Sequence, residues 1–114
     1  GRGCRLGEGV VILASVVINA DAQIGDDVIL NTSCSIDHDC VIEAHAHIAP
    51  GVRLAGNVQV GEGTLIGIGT AVIPGVKIGA HSIIGAGSVV IRDIPDYCVA
   101  VGNPARVIKS LHGE

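Results

Sequence analysis

The chain has 114 residues, a net charge of −4 and a 48% hydrophobic share drawn almost wholly from Val, Ile, Ala and Leu; Phe, Trp and Met are absent and Tyr97 is the single tyrosine. One domain is expected at this length. An acidic chain without stacking rings excludes a nucleic-acid surface, and no apolar run reaches the roughly 18 residues that a membrane helix needs.

In chain order, a ladder starts at Leu6 and returns every sixth residue: Ile12, Ile18, Ile24, Leu30, Ile36, Ile42, Ile48, Leu54, Val60, Ile66, Val72, Ile78, Ile84 and Val90. Two residues before each rung stands a small or branched side chain, such as Cys34, Cys40, Ala46, Val52, Thr64, Thr70, Ser82 or Ser88. Two inward positions on a short strand, then a turn, make a hexapeptide repeat, the mark of a parallel β-helix. Three strands close one triangular coil, so fifteen rungs make about five coils. Glycine often follows the rung (Gly7, Gly25, Gly61, Gly67), and there it is expected to supply the positive φ of the corners. The ladder accounts for the high mean hydropathy without a membrane. Cys4, Cys34, Cys40 and Cys98 match no zinc spacing and read as small core filler in a reducing compartment. With no visible secretory signal, the expected location is cytoplasmic.

The stretch Ser35–Gly51, SIDHDCVIEAHAHIAPG, carries three of the five histidines. The repeat phase puts His38 and Asp39 at one corner, His45 at the next, and His47 outward on the face opposite His38. Within one chain His38 and His47 should not meet; a shared site requires two subunits, as in the trimers such prisms commonly form. A corner imidazole suits proton removal near neutrality, with Asp39 to orient it, and a second histidine suits a developing oxyanion. His45 and His81 fall in one column two coils apart, but the third ligand of a hexapeptide-type zinc site falls on Ala86, so no metal is expected. His45, His81 and His112 read as solvated polar residues. Thr32, Thr64 and Thr70 form no ranked stripe, which speaks against an ice-binding solenoid.

The spacing lapses after Val90. RDIPDY reads as a turn, and CVAVGNPARVIK as a last strand, a Gly-Asn-Pro turn and a terminal segment. The expected division is a β-helix over 1–94 and a strand/turn cap and tail over 95–114.

Asn31 to Lys109, with NTS, DHDC, AGNV and GNPA in order, closely resembles the C-terminal domain of sugar acetyltransferases, namely the bacillosamine- and perosamine-pathway N-acetyltransferases and the sialic-acid-pathway O-acetyltransferases. The resemblance implies an all-β fold, a left-handed parallel β-helix, and a homotrimer with sites between subunits. It implies acetyl transfer from acetyl-CoA to a sugar or nucleotide-sugar acceptor without a covalent enzyme intermediate. By the same resemblance His38 is the general base, Asp39 the adjacent acid and Asn31 a residue near the sugar. His47 lies close to the acetyl thioester and belongs to both substrate and cofactor. The backbone amides of Gly56, Ile68 and Ala86 fall on loops lining the CoA arm, Ala86 standing where relatives have glycine. Arg106 and Lys109 are candidates for the CoA phosphates on charge grounds. The family's upstream nucleotide-sugar-binding domain is expected to be absent. Amine and hydroxyl acceptors stay open, and a non-catalytic trimeric scaffold is the reading from another class.

Overall fold

The computed structural model describes residues 3–112; the segments expected over 1–94 and 95–114 each reach two residues beyond the described ones. The described residues form seventeen strands and no helix, and so no helix long and apolar enough to cross a membrane. Fifteen are two-residue strands at six-residue spacing: β1 (Arg5–Leu6), β2 (Val11–Ile12), β3 (Val17–Ile18), β4 (Gln23–Ile24), β5 (Ile29–Leu30), β6 (Ser35–Ile36), β7 (Val41–Ile42), β8 (His47–Ile48), β9 (Arg53–Leu54), β10 (Gln59–Val60), β11 (Leu65–Ile66), β12 (Ala71–Val72), β13 (Lys77–Ile78), β14 (Ile83–Ile84) and β15 (Val89–Val90). Two longer strands follow, β16 (Cys98–Gly102) and β17 (Ala105–Ser110). Every third strand stacks in parallel. Sheet A runs β1-β4-β7-β10-β13, sheet B β2-β5-β8-β11-β14-β16-β17, and sheet C β3-β6-β9-β12-β15. The result is the left-handed, three-sided parallel β-helix of about five coils.

The register puts like on like. Ile24 pairs with Ile42, Ile48 with Ile66 and Val72 with Val90, so each rung rests on the rung one coil away. From Ile24 to Val90 every rung is buried. Leu6 and Ile12 are instead 51% and 43% exposed, because the first coil has a neighbour on one side only. Cys34, Cys40 and Cys98 are buried free thiols; burial pushes the Cys34 thiol up to about 11, as suits a residue used for its volume.

The inner polar positions are all bonded. Thr64 Oγ1 donates to the Gly79 carbonyl at 2.6 Å and accepts the Ser82 N–H at 3.0 Å, and Ser82 Oγ donates to the Pro95 carbonyl at 2.7 Å. Valine fills the equivalent position, buried, at Val58 and Val76. Thr64→Val therefore keeps the shape and strands two backbone groups. The expected cost is about 2 kcal/mol, read as a lowered midpoint in chemical denaturation.

The corners correct one expectation. Positive φ recurs every sixth residue from Gly3 to Gly87, three residues after each rung from Leu6 to Ile84, and includes Asp39 (59°) and His45 (64°). The glycines that directly follow a rung serve close approach instead: a Cβ on Gly61 would press on the backbone of Ala80, and one on Gly67 on that of Ala86.

The lapse after Val90 is a shortened corner. Ile94 bridges in parallel to Ile78, and Ala100 on β16 pairs with Ile84 on β14; both offsets are two residues short of the coil length. Winding therefore continues through β16. Only β17 reverses, lying antiparallel on β16 after Gly102 and Pro104.

Candidate active site

His38 and Asp39 form the turn between β6 and β7, at the corner of sheets C and A. Asp39 Oδ2 lies 3.2 Å from His38 Nδ1, with both side chains about half exposed. A carboxylate only accepts, so in a neutral ring Nδ1 carries the hydrogen and Nε2 the lone pair. The ring lies over Gly56, one coil further on, where a Cβ would come within 2.5 Å of His38 Nε2 and Cε1. Gly56 is thus the floor under the imidazole, a role the sequence reading did not give it.

A second group stands on sheet B. His47 is the outward residue of β8, and Asn31 directly follows β5, its stacked neighbour. Asn31 Oδ1 accepts the Thr32 N–H at 2.8 Å, which fixes the amide and leaves Nδ2 facing His47 Nε2 at 3.3 Å. In a neutral ring Nε2 then accepts, and the hydrogen that His47 can offer elsewhere sits on Nδ1. Ile68 and Ala86 lie on the B–C corner in successive coils, joined by the Gly87 N–H to Ile68 carbonyl bond at 2.7 Å. Ile68 is 60% exposed.

The outer face of sheet B forms a lane. His47 is followed in register by Leu65, Ile83, Val99 and Lys109, and Arg106 lies opposite Val101 on the same two strands. Four strand spacings separate His47 from Lys109, roughly 19 Å. The lane is apolar between a histidine and two cations. Sheet A differs, presenting Arg5, Gln23, Gln59 and Lys77 outward.

The structure thus brings His38, Asp39 and Gly56 together at one corner. Asn31, His47, Ile68, Ala86, Arg106 and Lys109 gather on and beside sheet B. The groups stay apart within the chain, because sheet B is the face opposite the C–A corner. The remaining histidines join neither group. His45 Nδ1 lies 3.6 Å from Asp27 Oδ2, and His81 and His112 flank the Tyr97 ring at centroid distances of 5.1 and 4.1 Å. Among the described residues no three His, Cys, Asp or Glu side chains converge as a metal site would require.

Sequence reading missed Asn19 and Asp37. Asp37 Oδ1 accepts the His38 backbone N–H at 2.7 Å and the Asn19 side-chain amide at 3.0 Å. The signal was present, since Asn19 and Asp37 are one coil apart and stack.

Fold and site together define a hexapeptide-repeat solenoid with an acid–histidine pair at one corner. The family described as "Bacterial transferase hexapeptide (six repeats)" matches residues 21–56 and 57–92, more than half the chain, and the chain belongs to that family. Among solved structures, a histidine-to-asparagine mutant of perosamine N-acetyltransferase from Caulobacter crescentus, in complex with CoA and GDP-perosamine, is 50% identical, covers 96% of this chain and superposes with a TM-score of 0.95. The acetyltransferase domain of PglB from Neisseria gonorrhoeae, in complex with acetyl coenzyme A, is 38% identical over 95% of this chain, with a TM-score of 0.93. UDP-N-acetylglucosamine O-acyltransferase (LpxA) from Moraxella catarrhalis is 30% identical over 80% of this chain, with a TM-score of 0.78. The chain spans 52%, 53% and 35% of these three structures respectively.

Proposed function

We propose that this chain is the β-helix of an acetyl-CoA-dependent acetyltransferase that acts on the amino group of a nucleotide-linked sugar. In this reading the division between 94 and 95 separates the catalytic solenoid from a cap, and β16 and β17 of that cap extend sheet B toward the donor. The observation that carries it is 50% identity over 96% of the chain to an N-acetyltransferase solved with CoA and a GDP-linked amino sugar. The donor fits the residues present: the apolar lane from His47 matches an extended pantetheine arm, and Arg106 and Lys109 at its end match phosphates. Acetyl-CoA supplies the acyl group as an activated thioester. The amine nitrogen bonds to the acetyl carbon while His38 Nε2 takes its proton, and Asp39 holds Nδ1 and offsets the charge the ring acquires; the C–S bond then breaks, and the CoA thiolate leaves and takes up a proton. His47 Nδ1–H or a loop amide faces the negative charge developing on the acyl oxygen. Holding both reactants in line supplies much of the acceleration.

The site assembles between two copies. His38 on the C–A corner and His47 on sheet B meet only if one chain's corner faces another's sheet B, as a closed trimer allows. The outward residues Val11, Leu65 and Ile83 on sheet B, 36–45% exposed in the single chain, support its being covered.

Isothermal titration with acetyl-CoA, with light scattering on the same sample, tests this. The expected result is one acetyl-CoA per chain in a trimer. An intact trimer that binds none would overturn the transferase reading and leave a scaffold domain.

A further inference from the structure

His38 projects from a two-residue corner, where a side chain has few packing neighbours. Three contacts fix it: Gly56 beneath the ring, Asp39 at Nδ1, and Asp37 at the backbone N–H. The third reaches into the preceding coil. Asn19 follows β3, and its backbone N–H is held by the Ile36 carbonyl at 2.8 Å, so its side-chain amide is anchored to the stack. That amide and the His38 N–H converge on one oxygen of Asp37. The His38 N–H first, then the Asn19 amide, hold the Asp37 carboxyl below the usual carboxylate range. An ionised acceptor makes shorter, stronger bonds than a neutral one. Asp21 and Asp39 are the other acids of this corner in the same two coils, and Arg53 lines the same groove as Asn19 and Asp37.

Resting on the reading of His38 as the base, we propose that Asn19 and Asp37 are a positioning pair that fixes the His38 backbone and so aims Nε2 at the acceptor. Neither touches the reacting atoms. Misplacing a reacting group by about 1 Å costs on the order of 100-fold. Asp37→Ala removes the acceptor, Asp37→Asn keeps an oxygen but not its charge, and Asn19→Ala removes only the brace.

The test measures CoA release from acetyl-CoA, with GDP-perosamine as acceptor probe, alongside the amide spectrum of the labelled trimer. Expected are kcat losses of roughly 10- to 100-fold for Asp37→Ala, less for Asp37→Asn, and several-fold for Asn19→Ala. The acetyl-CoA KM should stay within about twofold, because the pair bonds only to each other and to the His38 backbone and neither residue is placed on the donor lane. The His38 amide proton, downfield in the parent, should move upfield most in Asp37→Ala. A purely structural role would lower thermal stability and leave kcat of the folded variants at the parent value, which would overturn the proposal, as would an unmoved His38 amide. His38→Ala measured in parallel separates the failures. Parent-like turnover in that variant removes the base reading and this inference with it. An inactive His38→Ala beside parent-like Asp37→Ala and Asn19→Ala overturns the positioning pair alone.

Discussion

His38→Ala is expected to lower turnover by about 100-fold or more while the protein still binds acetyl-CoA with near-parent affinity. The expectation follows from tautomer and place. Asp39 holds the hydrogen on Nδ1, so Nε2 is the free acceptor, and the ring is half exposed at the corner where an acceptor can reach it. The proposed donor lane runs along sheet B, and His38 is not among the residues placed on it, so donor affinity is expected to survive the truncation. Truncation should therefore lower kcat and leave the acetyl-CoA KM almost unchanged, the mark of an interaction made in the transition state. His38→Asn keeps a polar group at the site without a base and should be as slow as His38→Ala. Steady-state rates with GDP-perosamine and a parallel titration with acetyl-CoA give both quantities. A loss carried wholly by KM would place His38 in substrate binding, and an unchanged rate would end its role.

The solenoid was legible because its constraint is periodic. A six-residue strand-and-turn unit must put a small or branched group inward twice per repeat, and the ladder from Leu6 to Val90 says so directly. Periodicity also placed His38 and His47 on opposite sides of the prism, as the sheets confirm. It failed where a residue's neighbour matters more than its phase. The glycines after the rungs looked like φ-permissive corner residues; they answer the backbone of the coil above, which no single repeat displays. Asn19 and Asp37 were overlooked for the same reason: their one-coil offset could be read, but their bond exists only once coils are stacked. The lapse after Val90 looked like the end of the winding, yet a corner two residues shorter restores the stack at Ile94 and Ala100. The roles of Asn31, Gly56, Ile68 and Ala86 came from resemblance alone. Geometry has joined Asn31 to His47 and Gly56 to His38, and has put Ile68 and Ala86 in one column.

Gly56→Ala lowers turnover by roughly 10- to 100-fold in a protein that melts close to the parent. Gly56 does not need glycine's backbone freedom: its φ lies outside the left-handed region, so alanine fits the chain there. What alanine cannot share is the space of the His38 imidazole, whose Nε2 and Cε1 lie 2.5 Å from the new methyl carbon. The obstacle is the far end of a side chain rather than backbone, so the fold gives way by turning His38 off its corner, which costs little stability. That turn breaks the Asp39 contact and moves Nε2 from the path of the acceptor. The same variant separates the two roles now resting on Gly56. If its amide chiefly meets the CoA arm, acetyl-CoA affinity survives the added methyl only where the arm passes at a distance, and a raised Kd would be the first sign of contact. If Gly56 chiefly makes room for the base, Kd holds, kcat falls, and Gly56→Ala combined with His38→Ala is no slower than His38→Ala alone. The geometry favours the second outcome, and a double variant markedly slower than His38→Ala would refute it.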